Sequence, residues 1–289
     1  MAETVAFLGA GGTMGHGMAA RIALAGLPVR AWDRSREKAE PLAGPGVEVL
    51  DTAAEALSGA TVLVTMLPDA DAVLAVAGGA LEQAGEDLVL AQLSTIGPDG
   101  IERCAQLAAE RGVTLVDAPV QGTKQPAEEG KLVVMASGPE AVRERLAPIF
   151  GALATKTVWA GEVGAGTRLK MATNTWLAAS VEGVAEALAL TEGAGLDPRL
   201  FLEVLSGGPL DMPYMEMKAD AMIERSFAPS FQLSLATKDV RLASELAERE
   251  GLDLPLLRAV HERFEQAARE HGHEDVAAAF LASAPKAAS

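Results

Sequence analysis

Short apolar runs alternate with longer amphipathic stretches through the first half of the chain, and the apolar runs stop in the second half. Strands are expected at TVAFLG (4–9), PVRAWD (28–33), TVLVTML (61–67), LVLAQLS (88–94), TLVDAP (114–119) and TVWAG (157–161). Helices are expected at 15–26, 35–44, 101–112 and 139–151, and KLVVMAS (131–137) adds a further strand. Continuous apolar strands separated by helices indicate an α/β unit with a parallel sheet covered on both faces. After Gly164 only helical periodicity remains, at 166–195, 198–207, 215–226, 231–251 and 255–272. The expected plan is therefore a doubly wound domain over residues 1–163 and an all-α domain over 164–289. A long helix from about 165 to 194 joins the two, and the terminal APKAAS is expected to fray.

Composition narrows the class of protein. A chain of 289 residues suggests two domains, and 49% hydrophobic residues are enough to fill two cores. Its one cysteine, Cys104, allows no intrachain disulfide and sits in a helical pattern as a core residue, which fits a reducing cytoplasm. The chain begins with a strand pattern rather than a secretory leader, and no uncharged apolar run is long enough to span a bilayer. A net charge of −16 argues against a nucleic-acid partner, because phosphate binding needs a basic surface.

Two local patterns carry chemistry. In FLGAGGTMGHGMA, glycines 9, 11, 12 and 15 stand between the first strand and the first helix. Glycine lets backbone approach a pyrophosphate, and the helix N-terminus offers N–H groups and partial positive charge, so the turn reads as a dinucleotide-binding loop. From Gly9 the spacing is G-x-G-x-x-x-G, one residue longer than the usual form. The second strand ends in Asp33, Arg34 and Ser35, where the cues conflict. An acid there favours the ribose hydroxyl of NAD(H), whereas an arginine beside a serine holds the 2′-phosphate of NADP(H). The second pattern is GEVGAGTRLKMATNTW, which places Lys170 and Asn174 four residues apart on one helix face. An ammonium and an amide so placed can act on one oxygen atom. The bland reading is a solvated lysine on an amphipathic helix.

Other combinations are weaker. His271 and His273 lie in a charged turn with no further ligand nearby, so no metal is expected. Met212 and Met215, near Tyr214, could line a pocket but are more simply core filler.

Taken together, GAGGTMG, DAPVQGTKQPAEEGKLVVMASG (117–138), GEVGAGTRLKMATN (161–174) and ATKDVRLA (236–243) resemble the β-hydroxyacid dehydrogenases. The order and spacing of these blocks span nearly the whole chain. The block after DAPV is most similar to the glyoxylate/succinic-semialdehyde reductases. The resemblance implies an N-terminal Rossmann domain, a helical C-terminal domain and a homodimer or homotetramer built through the helices. It also implies hydride transfer between a nicotinamide and a short β- or γ-hydroxy acid or aldehyde acid, with Lys170 as general acid or base and Asn174 as its companion amide. Gln121, Gly122, Thr123, Phe231 and Asp239 match substrate-binding positions. Gly9, Gly11, Gly12, Thr13, Met14, Asp33, Arg34, Ser35, Leu67, Pro68, Thr95 and Lys238 match cofactor-binding positions. Two residues depart from the pattern: Gln121 stands where serine is usual, and Asp33 stands where NADP-linked members usually have asparagine. The cofactor reading on balance is NADP(H) over NAD(H). Alternatives on the same architecture are an imine reductase, whose members usually have aspartate or tyrosine in place of Lys170, and a non-catalytic nucleotide-binding module.

Overall fold

A computed structural model describes residues 3–85 and 87–284; residues 285–289 of the expected frayed tail lie outside the described part. The chain divides into two compact units, 1–170 and 171–289.

Unit one is built on a six-stranded parallel sheet. Its strands are β1 (Val5–Leu8), β2 (Val29–Trp32), β3 (Val47–Val49), β4 (Val62–Thr65), β5 (Val89–Gln92) and β6 (Thr114–Asp117), in the spatial order β3-β2-β1-β4-β5-β6. The register sets Val5 opposite both Val29 and Val62. Side chains alternate across the pleat: Val5, Phe7, Val62 and Val64 fill one core, while Ala6, Leu8, Leu63 and Leu90 fill the other. Helices α1 (Gly15–Leu24), α2 (Arg36–Ala39), α3 (Ala53–Leu57), α4 (Ala70–Ala80) and α5 (Gly97–Glu110) lie between successive strands. The first face is covered by α1, and the opposite face by α3, α4 and α5. Each fully buried large side chain contributes about 1.5–3 kcal/mol. A surface ion pair such as Arg36–Glu40 contributes about 0–1 kcal/mol, so sheet burial decides the fold. Cys104 is packed in this core, and burial pushes its thiol pKa up to about 12, which leaves it inert at neutral pH.

The chain beyond Asp117 departs from the expected single sheet. β7 (Val120–Gln121), α6 (Lys124–Glu129), β8 (Leu132–Ala136), α7 (Arg143–Leu153) and β9 (Ala154–Trp159) follow. The three strands form a separate mixed sheet in which β7 runs antiparallel and β9 parallel to β8. An antiparallel bridge between Asp117 and Ser137 ties the end of β6 to the end of β8. The elements not expected from periodicity are β3, α3, α4, β7, α6 and the 3₁₀ segments at Leu81–Gln83 and Val276–Ala282.

Unit two packs α8 (Ala165–Gly193, from Met171 on), α9 (Arg199–Leu205), α10 (Pro213–Ile223), α11 (Leu233–Arg249) and α12 (Pro255–His271). The buried stripe of α8 is Met171, Asn174, Ala178, Val181, Ala185 and Leu188, alternating three and four residues apart as a helix face requires. Beside it lies a buried acid, Glu182, whose Oε1 accepts from Ser283 Oγ at 3.2 Å and stands 3.9 Å from Arg263 Nε. Its Oε2 is buried without a hydrogen bond, and burial raises its pKa from 4.5 to about 7. The fold therefore holds a proton that the unfolded chain releases, and stability falls as pH rises from about 4.5 to about 7. The penalty above neutrality is on the order of 3 kcal/mol. Glu182→Gln should raise the melting temperature by several degrees at pH 8 and change little at pH 5. Equal melting of the two proteins at pH 8 would show that the charge is carried at no cost.

No helix of the described residues is long and apolar enough to cross a membrane.

Candidate active site

The C-terminal ends of β1 and β4 flank the point where the strand order reverses, the place where open parallel sheets hold ligands. The glycine loop leaves β1 at Gly9, whose φ of +97° and close approach to Met66 leave no room for a side chain: a Cβ would stand 2.2 Å from Met66 O. Gly15 opens α1 with its Cα against Gly9 O, where a Cβ would stand 2.0 Å away. The extra residue of the loop is thus taken up in the turn 11–14, ahead of the helix. Met14, at the helix N-cap, makes no side-chain cap hydrogen bond, Thr13 is exposed, and Gly11 and Gly12 carry no side chain in the turn ahead of the helix. This is a fit for a pyrophosphate: a glycine cradle ending on helix N-terminal amides.

Asp33 is built into that loop. Its Oδ2 accepts from Gly11 N and its Oδ1 from Ser35 N, both at 3.0 Å. Arg36 is engaged by Glu40 and Asp51, while Arg34 is exposed. On the β4 side, a buried network of Thr65, Gln92 and Ser94 shapes the neighbouring loops. Ser94 Oγ accepts from Leu67 N at 2.8 Å, and Gln92 Oε1 accepts from Ser94 N at 2.6 Å. Pro68 is exposed and Thr95 half-buried at the mouths of these loops.

The small sheet places Gln121. β7 pairs Gln121 with Val133, and Lys170 Nζ donates to Gln121 Oε1 at 3.0 Å. Lys170 is 6% exposed, so the solvated-lysine reading is wrong for this chain. Next to Gln121, Gly122 has a φ of +131°, and Thr123 precedes α6 without capping it.

In unit two, Asn174 lies on the buried face of α8, one turn beyond Lys170 along that helix. Its Nδ2 donates to Asp239 Oδ2 at 2.8 Å. Lys238 Nζ stands 3.0 Å from Asp239 Oδ1, an ion pair without a well-directed hydrogen bond, as expected for neighbours on one helix. Phe231 is half-buried, and its N–H donates to Asp275 Oδ2 at 3.2 Å. Asp275 also pairs with Lys218 at 2.7 Å, with both side chains nearly inaccessible. Burial pushes the Asp275 carboxyl up, but Lys218 and backbone amides outweigh it and hold the carboxyl below its ordinary value. Met212 and Met215 line a cavity of about 190 Å³ with Val184, Phe201 and Leu202. Among the described residues no three His, Cys, Asp or Glu side chains cluster to hold a metal.

Sequence reasoning missed the buried polar groups Asp117, Ser137, Lys218 and Asp275. The one available signal was position, since Asp117 and Ser137 each close a buried strand pattern.

A model for the NAD-binding domain of 6-phosphogluconate dehydrogenase matches residues 4–161. One described as NAD-binding of NADP-dependent 3-hydroxyisobutyrate dehydrogenase matches residues 164–282. The chain is 31% identical to glyoxylate/succinic semialdehyde reductase 1 of Arabidopsis thaliana, over 91% of this chain and 92% of the relative. It is also 31% identical to 2-hydroxy-3-oxopropionate reductase of Escherichia coli (strain K12), over 91% of each. A solved structure of Mycobacterium tuberculosis 3-hydroxyisobutyrate dehydrogenase with L-serine superposes with a TM-score of 0.87 at 30% identity, covering 97% of this chain and 99% of that one.

Proposed function

This chain belongs to the β-hydroxyacid dehydrogenase family and is an NAD(P)-dependent oxidoreductase, and from that premise we propose that it reduces short aldehyde acids of the glyoxylate and succinic-semialdehyde class, with Lys170 as the proton donor. The observation that carries the reading is the buried Lys170 Nζ held by the Gln121 amide beside Gly122. When bound, the nicotinamide supplies or accepts the hydride, the step the protein itself cannot perform. In reduction Lys170 gives a proton to the carbonyl oxygen as that atom gains negative charge, and in oxidation it takes the hydroxyl proton. Asn174, oriented by Asp239, hydrogen-bonds the same oxygen. Gln121, Gly122 and Thr123 hold the carboxylate through an amide N–H, a backbone N–H and a hydroxyl.

The cradle at Gly9, Gly11, Gly12, Thr13 and Met14 holds the pyrophosphate in this reading, with Leu67, Pro68, Thr95 and Lys238 along the rest of the cofactor. The cofactor is NADP(H): Asp33 accepts two backbone amides as a strut of the loop, and exposed Arg34 supplies positive charge beside it. Arg34→Ala should raise KM for NADPH about tenfold, the loss of one exposed charge-assisted contact, and leave KM for NADH within about twofold. Equal changes for both would remove Arg34 from cofactor choice. Exposed Trp176, Leu190, Leu196, Leu200 and Val204 support a homodimer or homotetramer through the helical unit, which light scattering reads directly.

The deciding experiment is initial rates with NADPH and NADH against glyoxylate, succinic semialdehyde, methylmalonate semialdehyde and a cyclic imine. Turnover of an aldehyde acid supports the reading. Turnover of the imine alone overturns the substrate class, and nucleotide binding without turnover overturns the catalytic reading.

A further inference from the structure

We propose that Asp117 is a positioning residue for the reaction: with Ser137 it holds the first turn of α8 against the ends of β6 and β8 and so fixes where Lys170 Nζ stands. The inference rests on the reading of Lys170 as the acid–base group.

Helix α8 begins at Ala165, after the turn GEVGAG. The amides of Gly166 and Thr167 in its first turn are met by side chains from remote strands. Asp117 Oδ2 accepts from Thr167 N at 2.7 Å, and its Oδ1 accepts from Thr167 Oγ1 at 2.8 Å. Ser137 Oγ donates to Asp117 Oδ2 at 3.2 Å and accepts from Gly166 N at 2.9 Å. The backbones of Asp117 and Ser137 exchange hydrogen bonds of 3.0 and 2.7 Å, so the ends of β6 and β8 hold the helix as one unit. Gly166 lies so close that a Cβ would stand 2.3 Å from Met135 O, which leaves no room for a side chain there. Lys170 follows Thr167 by three residues, within the next turn.

The carboxylate that meets this turn is fully buried and fifty residues away, and burying it carries a desolvation cost. Burial raises the Asp117 carboxyl, and the bonds from Thr167 and Ser137 lower it only in part. The arrangement gives the first turn of the helix a defined seat against the ends of β6 and β8.

The test is a double-mutant cycle of Asp117→Ala and Lys170→Ala, read as kcat and KM with NADPH and succinic semialdehyde. Asp117→Ala should lower kcat by about 10²-fold, the scale of a small misplacement of a reacting group, with KM for NADPH within about twofold. Asp117→Asn should recover most of the loss, since its amide can accept from Thr167 N and donate to Thr167 Oγ1. In the Lys170→Ala background Asp117→Ala should cost less than about twofold more, because a residue that acts through another has nothing left to act on. Independent losses that multiply in the double variant overturn the proposal and leave the Lys170 reading standing. A Lys170→Ala enzyme with near-normal turnover overturns that reading and the positioning role with it. If Asp117→Ala does not fold, Thr167→Val removes one of the same bonds, and an unchanged kcat there overturns the proposal.

Discussion

Replacement of Lys170 by alanine should lower turnover about 10²–10⁴-fold while leaving NADPH affinity nearly unchanged. The range is that of a general acid removed from a transition state in which an oxygen becomes an alkoxide, equivalent to about 3–5 kcal/mol of barrier. Affinity should survive because the glycine cradle stands on β1 and α1, whereas Lys170 stands on α8. Lys170→Arg sharpens the test. Arginine keeps the charge and the hydrogen-bonding capacity but does not give up a proton, so it should be nearly as inactive as alanine. Turnover numbers and a fluorescence titration with NADPH read both quantities. A variant with more than about a tenth of normal turnover takes Lys170 out of the chemistry.

Loss of the Asp275 carboxylate should destabilise the protein by about 3–5 kcal/mol, a fall in melting temperature on the order of ten degrees. Asp275 and Lys218 are 4% and 3% exposed, and Lys218 Nζ has Ser230 Oγ as its other hydrogen-bond partner. Asp275→Ala therefore leaves an ammonium buried beside one hydroxyl and the face of Tyr214. The same change frees Ser230 N, Phe231 N and Ala277 N, the three backbone donors that the carboxylate satisfies. The double variant Asp275→Leu/Lys218→Met should recover part of the loss, because an apolar pair carries no desolvation cost. The sign with pH follows from the lowered Asp275 pKa. Its contribution is complete above the ordinary carboxylate range and is lost as pH falls through the lower folded value. Thermal denaturation decides the matter, and a loss under about 1 kcal/mol for Asp275→Ala would mean the pair is not what ties the 3₁₀ segment down.

Membership of the family gives the chemistry a class, and the side chains beside Lys170 give it a particular form. Gln121 reaches Lys170 Nζ from a two-residue strand whose place depends on β8. A serine side chain at that position has its hydroxyl on Cβ and is too short to span the same gap from the same backbone. The proposed carboxylate pocket and the proposed proton donor are therefore coupled through one amide in this chain.

The sequence by itself determined what depends on neighbours along the chain. Alternating apolar strands and helices specified the α/β half, the 3.6-residue stripe from Met171 to Leu188 specified the helical half, and the four-residue spacing of Lys170 and Asn174 put both on one helix. The glycine run specified a close turn where a helix N-terminus meets a strand. Helix α4 escaped because Gly78 and Gly79 interrupt its pattern, although Asp69 caps it by accepting from Ala72 N. Strand β3 is three residues long and carries too little periodicity to read. Tertiary structure alone decided the separate mixed sheet, the contact of Gln121 with Lys170, the seating of α8 by Asp117 and the Lys218–Asp275 pair. These contacts join residues 49 to 57 positions apart. Periodicity reports only which face of an element is buried. Which buried polar group meets which is settled when packing brings remote elements within hydrogen-bond reach of one another.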